Sequence, residues 1–219
     1  MSCNTEREYK YIYVVLASTP YKTGKVIRAV KNVKYNHASI SLEPTLEPMY
    51  AFSRRYERST FNAGFVEESL LRYQSKKDDA EIMVARLPVT EEQYNKAKTL
   101  LEEINNEKEE YIYNFFSAAA TAVYGGYVEV DRSYTCIEFV CYILREIGVY
   151  KSKNPSPTLD ALERVLKKYT VYEGKSENYH KAENWGGDEF PQYQTRYEYA
   201  KSHVNLMRTL TNRYRNNKK

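Results

Sequence analysis

One stretch constrains this chain more than any other: Tyr134 to Ile147, YTCIEFVCYILREI. Gly125-Gly126 and Asp131-Arg132-Ser133 precede it as turn material. Ile137, Val140, Cys141, Leu144 and Ile147 then recur at helical spacing, and Gly148 stops the run. The spacing predicts a helix that begins at a cysteine. Thr135 serves as N-cap and places Cys136 in the first turn, where free backbone N–H groups and the positive helix end favour the thiolate. On position alone, a small buried core cysteine is the commoner outcome. The partner residues elsewhere in the chain decide between the two.

A cysteine nucleophile needs a histidine. His37 is the well-placed candidate, on a strand-like run about a hundred residues earlier. His180 and His203 share no metal-type spacing with a cysteine or carboxylate pair and read as surface or structural. The three cysteines, Cys3, Cys136 and Cys141, make neither a disulfide framework nor a zinc pattern. Cys136 and Cys141 lie five residues apart, so they point to different faces of the helix. Gly24-Lys25 lacks the glycine-rich lead-in of a phosphate loop. No cofactor and no metal are expected.

Around these residues the chain reads as alternating short elements. Residues 1–9 are polar and loose. Tyr11 to Ser18 is a buried strand. Tyr21 to Val33 fits a short helix. Asn36 to Leu42 alternates as a strand, with His37, Ser39 and Ser41 on one face. Pro44 and Pro48 mark a turn, and Met49 to Ser53 forms the second strand of a hairpin. The residue that orients His37 is expected from this region; Ser53 and Glu43 are the candidates, and the register between them stays open. Thr60 to Leu71 is a loop leading to a short strand or helix, Gln74 to Asp79 a turn, and Ala80 to Val89 a strand. Thr90 with Gln93 opens a capping-box helix whose Tyr94, Ala97, Leu100, Leu101 and Ile104 share a face. Tyr111 to Tyr124 reads as a buried helix, apolar all round. Thr158 caps a helix with Leu159, Leu162, Val165 and Leu166 inward, and Tyr169 to Tyr172 is a last strand. With 23 tyrosines and one tryptophan, Tyr must take many of the packing positions Phe would fill.

The tail differs. Beyond Pro191, Tyr193, Tyr197, Ala200, Val204, Met207, Thr211 and Tyr214 form a four-three seam. The helix over 192–215 is expected to bury that seam against a protein partner or a second copy, or else to brace the domain.

Together, the histidine strand HASISLEPTLEPMYAFSRR, then GFVEE, a strand, a helix and finally YTCIEFVCYIL form an ordered set. The set resembles the permuted papain-like group of the NlpC-type cell-wall peptidase superfamily, which includes YiiX-like proteins. The resemblance covers roughly residues 10 to 179, including Asn114 and VYEGKSENY. It implies an α+β, papain-like, circularly permuted fold with an antiparallel sheet packed on helices, plus a C-terminal helical extension. The implied organisation is a flexible 1–9, a permuted papain-like domain 10–179 and an extension 180–219. Carried over by position, Cys136 is the nucleophile and His37 the general base. Ala51 and Glu43 stand where such proteins commonly carry Ser or Asp, and Ile137 replaces the small polar residue that often follows the cysteine.

Two function classes follow. The first is a cysteine-dependent hydrolase or acyltransferase acting on a peptide or acyl substrate, such as cell-wall peptide or a lipid amide or ester. The second is a catalytically silent scaffold in a larger assembly, such as that of a phage. The missing nucleophile elbow argues against a serine triad, and adjacent Glu67-Glu68 do not make a glycosidase pair. A net charge of +4, spread out except at the last few residues, points to no specific nucleic acid. No apolar run spans a bilayer, and MSCNTEREYK has no signal-peptide character. The expected location is a cytoplasm, or, for a phage protein, the host cytoplasm or the virion.

Overall fold

The computed structural model describes residues 9–21, 33–73, 79–152, 154, 157–179 and 187–218. The architecture is α+β, built on one mixed sheet of eight strands. In chain order the strands are β1 Lys10–Ala17, β2 His37–Ser41, β3 Met49–Arg54, β4 Ala63–Glu68, β5 Glu81–Val89, β6 Ile112–Tyr113, β7 Ser133–Tyr134 and β8 Thr170–Lys175. They lie in the order β7-β6-β4-β3-β2-β1-β5-β8. The helices are α1 Glu91–Asn106, α2 Phe115–Tyr124, α3 Cys136–Glu146, α4 Leu159–Leu166 and α5 Arg196–Asn216. Among the described residues, no helix is long and apolar enough to cross a membrane.

β1 is paired on both sides, with Val14 opposite Ile40 of β2 and opposite Ala85 of β5. Its continuous apolar run follows from burial on both faces. Ile12, Val14 and Leu16 face a layer formed by α1 and α3, where Ala97, Leu101, Phe139 and Val140 complete the main core. Tyr13, Val15 and Ala17 face a second cluster with Leu46, Leu70 and Tyr73. α1 carries the expected capping box between Thr90 and Gln93, and Ala97, Leu101 and Ile104 are its buried positions.

Several expectations are corrected. The sheet is not wholly antiparallel, because β6 and β7 run parallel, with Ile112 opposite Ser133 and Tyr113 opposite Tyr134. The helix expected over 111–124 begins only at Phe115, since Ile112 and Tyr113 are taken into the sheet. Its last turn is not buried: Val123 and Tyr124 are exposed. Val165 of α4 also faces outward. The expected loose N-terminus, most of the helix at 21–33, most of the turn at 74–79, His180 and Trp185 lie outside the described residues.

The tail is tied to the body. Leu206 and Leu210 of α5 are buried with Val130, beside Ile112, Phe115 and Phe116. Of the expected seam, Tyr193, Tyr197 and Val204 are exposed, while Tyr214 packs beside this buried pair. Ahead of α5, the Asp188 carboxylate accepts from Arg72 Nη2 at 2.6 Å, Arg72 Nε at 2.9 Å and Ser69 N at 3.0 Å. Arg72 and Asp188 are both closed off from solvent.

Candidate active site

α3 begins where the sequence requires it to. Thr135 is extended, its side chain accepts from the Glu138 N–H, and Glu138 Oε2 accepts from Thr135 N at 2.8 Å. This reciprocal cap fixes the first turn. Glu138 is itself buried and accepts from Ser117 Oγ of α2, so the cap is anchored to a neighbouring helix. β7 sets the approach: the Tyr134 carbonyl accepts from Asn114 N at 3.0 Å, next to the parallel β6–β7 pair. Gly64 of β4 lets β6 come close, since a Cβ there would stand 2.2 Å from the Tyr111 carbonyl oxygen. Cys136 is thereby held in the first turn at the sheet's edge. Gly148, in the left-handed region, ends the helix.

His37 is the first residue of β2 and is buried. It hydrogen-bonds the carboxylate of Glu68, shares a cavity with the Cys136 thiol and feels the charge of that sulfur. The Nε2–Oε1 distance to Glu68 is 2.8 Å, which leaves Nδ1 as the ring nitrogen available to sulfur. Glu68 is the last residue of β4, two strands from β2, and is 1% exposed. It also accepts from the Tyr73 hydroxyl at 2.7 Å, and Ser39 Oγ lies 2.9 Å from the same hydroxyl. Since the phenol gives its proton to Glu68, Ser39 donates to Tyr73.

The electrostatics of this chain are coherent. Burial pushes the His37 ring toward its neutral form, but the Glu68 carboxylate and the Cys136 sulfur outweigh it and raise His37 to about 10. Burial likewise opposes charge on Glu68, yet His37, Arg72 and Tyr73 hold it below the usual carboxylate range. Tyr73 is kept protonated by burial and by Glu68. The arrangement is a buried imidazolium–carboxylate pair with its free edge on a cysteine. Cys141, fully buried on another face of α3, is pushed up to about 12 by desolvation.

A cavity of about 270 Å³ opens onto Cys136 and His37. Phe52, Tyr113 and Phe115 supply its apolar wall, while Tyr21, Arg54 and Phe190 stand farther round. Burial, with Cys136 and Glu138 nearby, holds the Tyr113 phenol protonated.

Of the residues singled out in the sequence, Cys136 and His37 are brought together. The candidates for orienting His37 are corrected. Glu43 is exposed on the turn after β2 and lines a different cavity. Ser53 lines the Cys136 cavity, but the hydrogen-bond partner of His37 is Glu68. Strand alternation in GFVEE sends Glu67 and Glu68 to opposite faces, and only Glu68 is buried. The sequence offers the two acids at one strand end without showing which of them is buried. Asn114 is structural: it caps α2 by accepting from Ser117 N, and it donates to the Val128 carbonyl. His203 packs on the Phe61 ring, with centroids 4.0 Å apart.

Comparison with known protein families, curated proteins and solved structures finds no match for this chain.

Proposed function

We propose that the protein is a thiol hydrolase or acyltransferase that attacks an amide or ester carbonyl through Cys136. The observation that carries this reading is His37, bonded to the buried Glu68 carboxylate and lining the same cavity as Cys136. The order of parts, a histidine strand first and a cysteine helix last, supports the permuted papain-like reading of the fold. The Cys136 thiolate adds to the carbonyl carbon while His37 holds the proton as imidazolium. The Cys136 backbone N–H opens the helix, has no acceptor within it, and takes the developing oxyanion. The protonated Tyr113 phenol offers a second donor on the same wall. His37 then protonates the leaving nitrogen or oxygen as its bond to carbon breaks. In hydrolysis His37 next takes a proton from water, whose oxygen attacks the thioester; the C–S bond breaks and the acid leaves. Glu68 stays ionised throughout and keeps the ring oriented.

The test is alkylation and turnover. Iodoacetamide is expected to modify Cys136 first at neutral pH, His37→Ala to slow that reaction, and p-nitrophenyl ester hydrolysis to vanish in Cys136→Ala. Alkylation of Cys136 that is indifferent to His37 would remove the basis for the proposal. A His37-dependent thiol without turnover on esters or peptide anilides would favour the silent-scaffold alternative.

A further inference from the structure

The cavity contains a cation that the proposed chemistry does not use. Arg54, at the end of β3, lines it together with Cys136. The guanidinium lies over the Tyr21 ring at 4.5 Å and over the Phe190 ring at 5.5 Å, an aromatic mount that fixes its plane. Nη1 donates to the Glu57 carbonyl at 2.9 Å. Among the described residues, Nε and Nη2 have no acceptor, and no carboxylate lies within ion-pair distance of Arg54. Its neighbours are already matched: Arg72 is paired with Asp188, and His37 with Glu68. Burial works against the Arg54 charge and Arg72 adds to that; the phenol of Tyr21 is pushed up to about 12 and supplies no counter-charge, which leaves the Glu57 carboxylate acting from beyond ion-pair distance. A partly buried guanidinium held flat in a cavity, with no acceptor on its bidentate edge among the described residues, is costly unless something anionic meets it.

We infer that Arg54 binds a carboxylate of the substrate, so that the protein acts on amides or esters bearing a carboxylate close to the scissile carbonyl. This rests on the thiol-hydrolase reading and narrows its substrate class. A carboxylate suits the site better than a phosphate dianion. The Nε–Nη2 edge, without an acceptor among the described residues, matches two planar oxygens, and with Glu57 already offsetting part of the guanidinium charge a monoanion is the better match. A cavity of about 270 Å³ is small, below the usual range of roughly 300–1,000 Å³ for ligand sites, and so fits a residue-sized group.

Two reagents test this on the full chain. Iodoacetate and iodoacetamide deliver the same electrophilic carbon with and without a carboxylate. The iodoacetate-to-iodoacetamide rate ratio at Cys136 is expected to fall about fivefold in Arg54→Gln, the size of a partly exposed ion pair, and to recover in part in Arg54→Lys. His37 is the same in both proteins, so its pull on the anionic reagent cancels between them, and an unchanged ratio in a folded Arg54→Gln overturns the inference. A second arm needs no variant. N-acetylglycine is expected to protect Cys136 of the unaltered protein from iodoacetamide, and N-acetylglycinamide to protect it less. Equal protection by the two overturns the inference, and stronger protection by inorganic phosphate overturns the choice of carboxylate. Loss of the His37 dependence of iodoacetamide labelling would mark failure of the thiol reading instead, which keeps the two apart.

Discussion

His37 Nε2 lies 2.8 Å from Glu68 Oε1, and neither side chain meets solvent to any useful extent. The pair joins the first residue of β2 to the last residue of β4, with β3 between them. A buried charge pair of this kind is a costly arrangement to maintain for packing alone. Tyr73 donates to its carboxylate, and the Cys136 thiol shares the cavity that His37 lines, which makes the pair intelligible as machinery.

Glu68→Gln keeps the shape of the carboxylate and removes its charge. The imidazolium is then no longer favoured, and the amide can turn either its oxygen or its nitrogen to the ring. Turnover of an ester substrate is expected to fall by about 10²-fold or more, in line with the loss of a positioned acid–base partner. Alkylation of Cys136 by iodoacetamide should slow in parallel. Glu43→Gln and Ser53→Ala should leave His37 oriented, because neither residue hydrogen-bonds its ring. Equal losses in Glu43→Gln and Glu68→Gln would refute the assignment.

The same pair sets a pH window for stability. His37 is raised from 6.5 to about 10, so its stabilising contribution is complete below 6.5 and is lost as pH rises through about 10. Glu68 is lowered, so its contribution is present above the ordinary carboxylate range and is lost as pH falls below it. The melting temperature of the unaltered protein should therefore exceed that of His37→Gln most between about pH 5 and 6.5. The gap should shrink steadily toward pH 10. A gap that stayed constant from pH 6 to 10 would show that His37 is buried in its neutral form.

Cys136 and Cys141 share one helix and should behave as opposites. Cys141 is fully buried and its thiol is held protonated by desolvation, whereas Cys136 lines an open cavity. Mass spectrometry after brief iodoacetamide treatment at neutral pH should find label on Cys136 alone of the two, with Cys141 labelled only on unfolding. Simultaneous labelling of both in the folded protein would count against a distinct reactive site.

Much of the site could be read from the sequence where the signal was local. The Thr135 cap, the cysteine in the first turn and the alternation around His37 each depend on a few adjacent residues, and the structure has them in place. Glu68 was not legible, because alternation fixes which face a residue takes but not which distant strand carries its partner. The pairs Tyr113–Tyr134 and Ile112–Ser133 were missed for another reason: strands of two residues have no period to detect. In α5 two stripes compete. The sequence favoured Tyr193, Tyr197 and Val204, while the surface offered by Val130, Phe115 and Phe116 selects Leu206 and Leu210.

The tail supplies the last prediction. The sequence leaves the helix over 192–215 open between contact with a partner and bracing the domain. The structure ties the tail in at two places. Asp188 neutralises Arg72 in a buried site, and Phe190 lies over the guanidiniums of Arg54 and Arg72 beside the cavity. Farther on, Leu206 and Leu210 cover Val130 and the start of α2, and Arg213 Nη1 donates to the Glu110 carbonyl at 2.8 Å. Removing Asp188 leaves the Arg72 guanidinium buried without its counter-ion, a loss of about 3–5 kcal/mol. In a chain of this size that corresponds to a fall of roughly 6–20 °C in melting temperature for Asp188→Ala. Deleting residues 181–219 removes both attachments and should give a chain that melts lower still or precipitates, with Cys136 no longer preferred over Cys141 in alkylation. A truncated protein that stays monomeric, melts within a few degrees of the full chain and keeps its reactive Cys136 would show that the extension is dispensable to the fold.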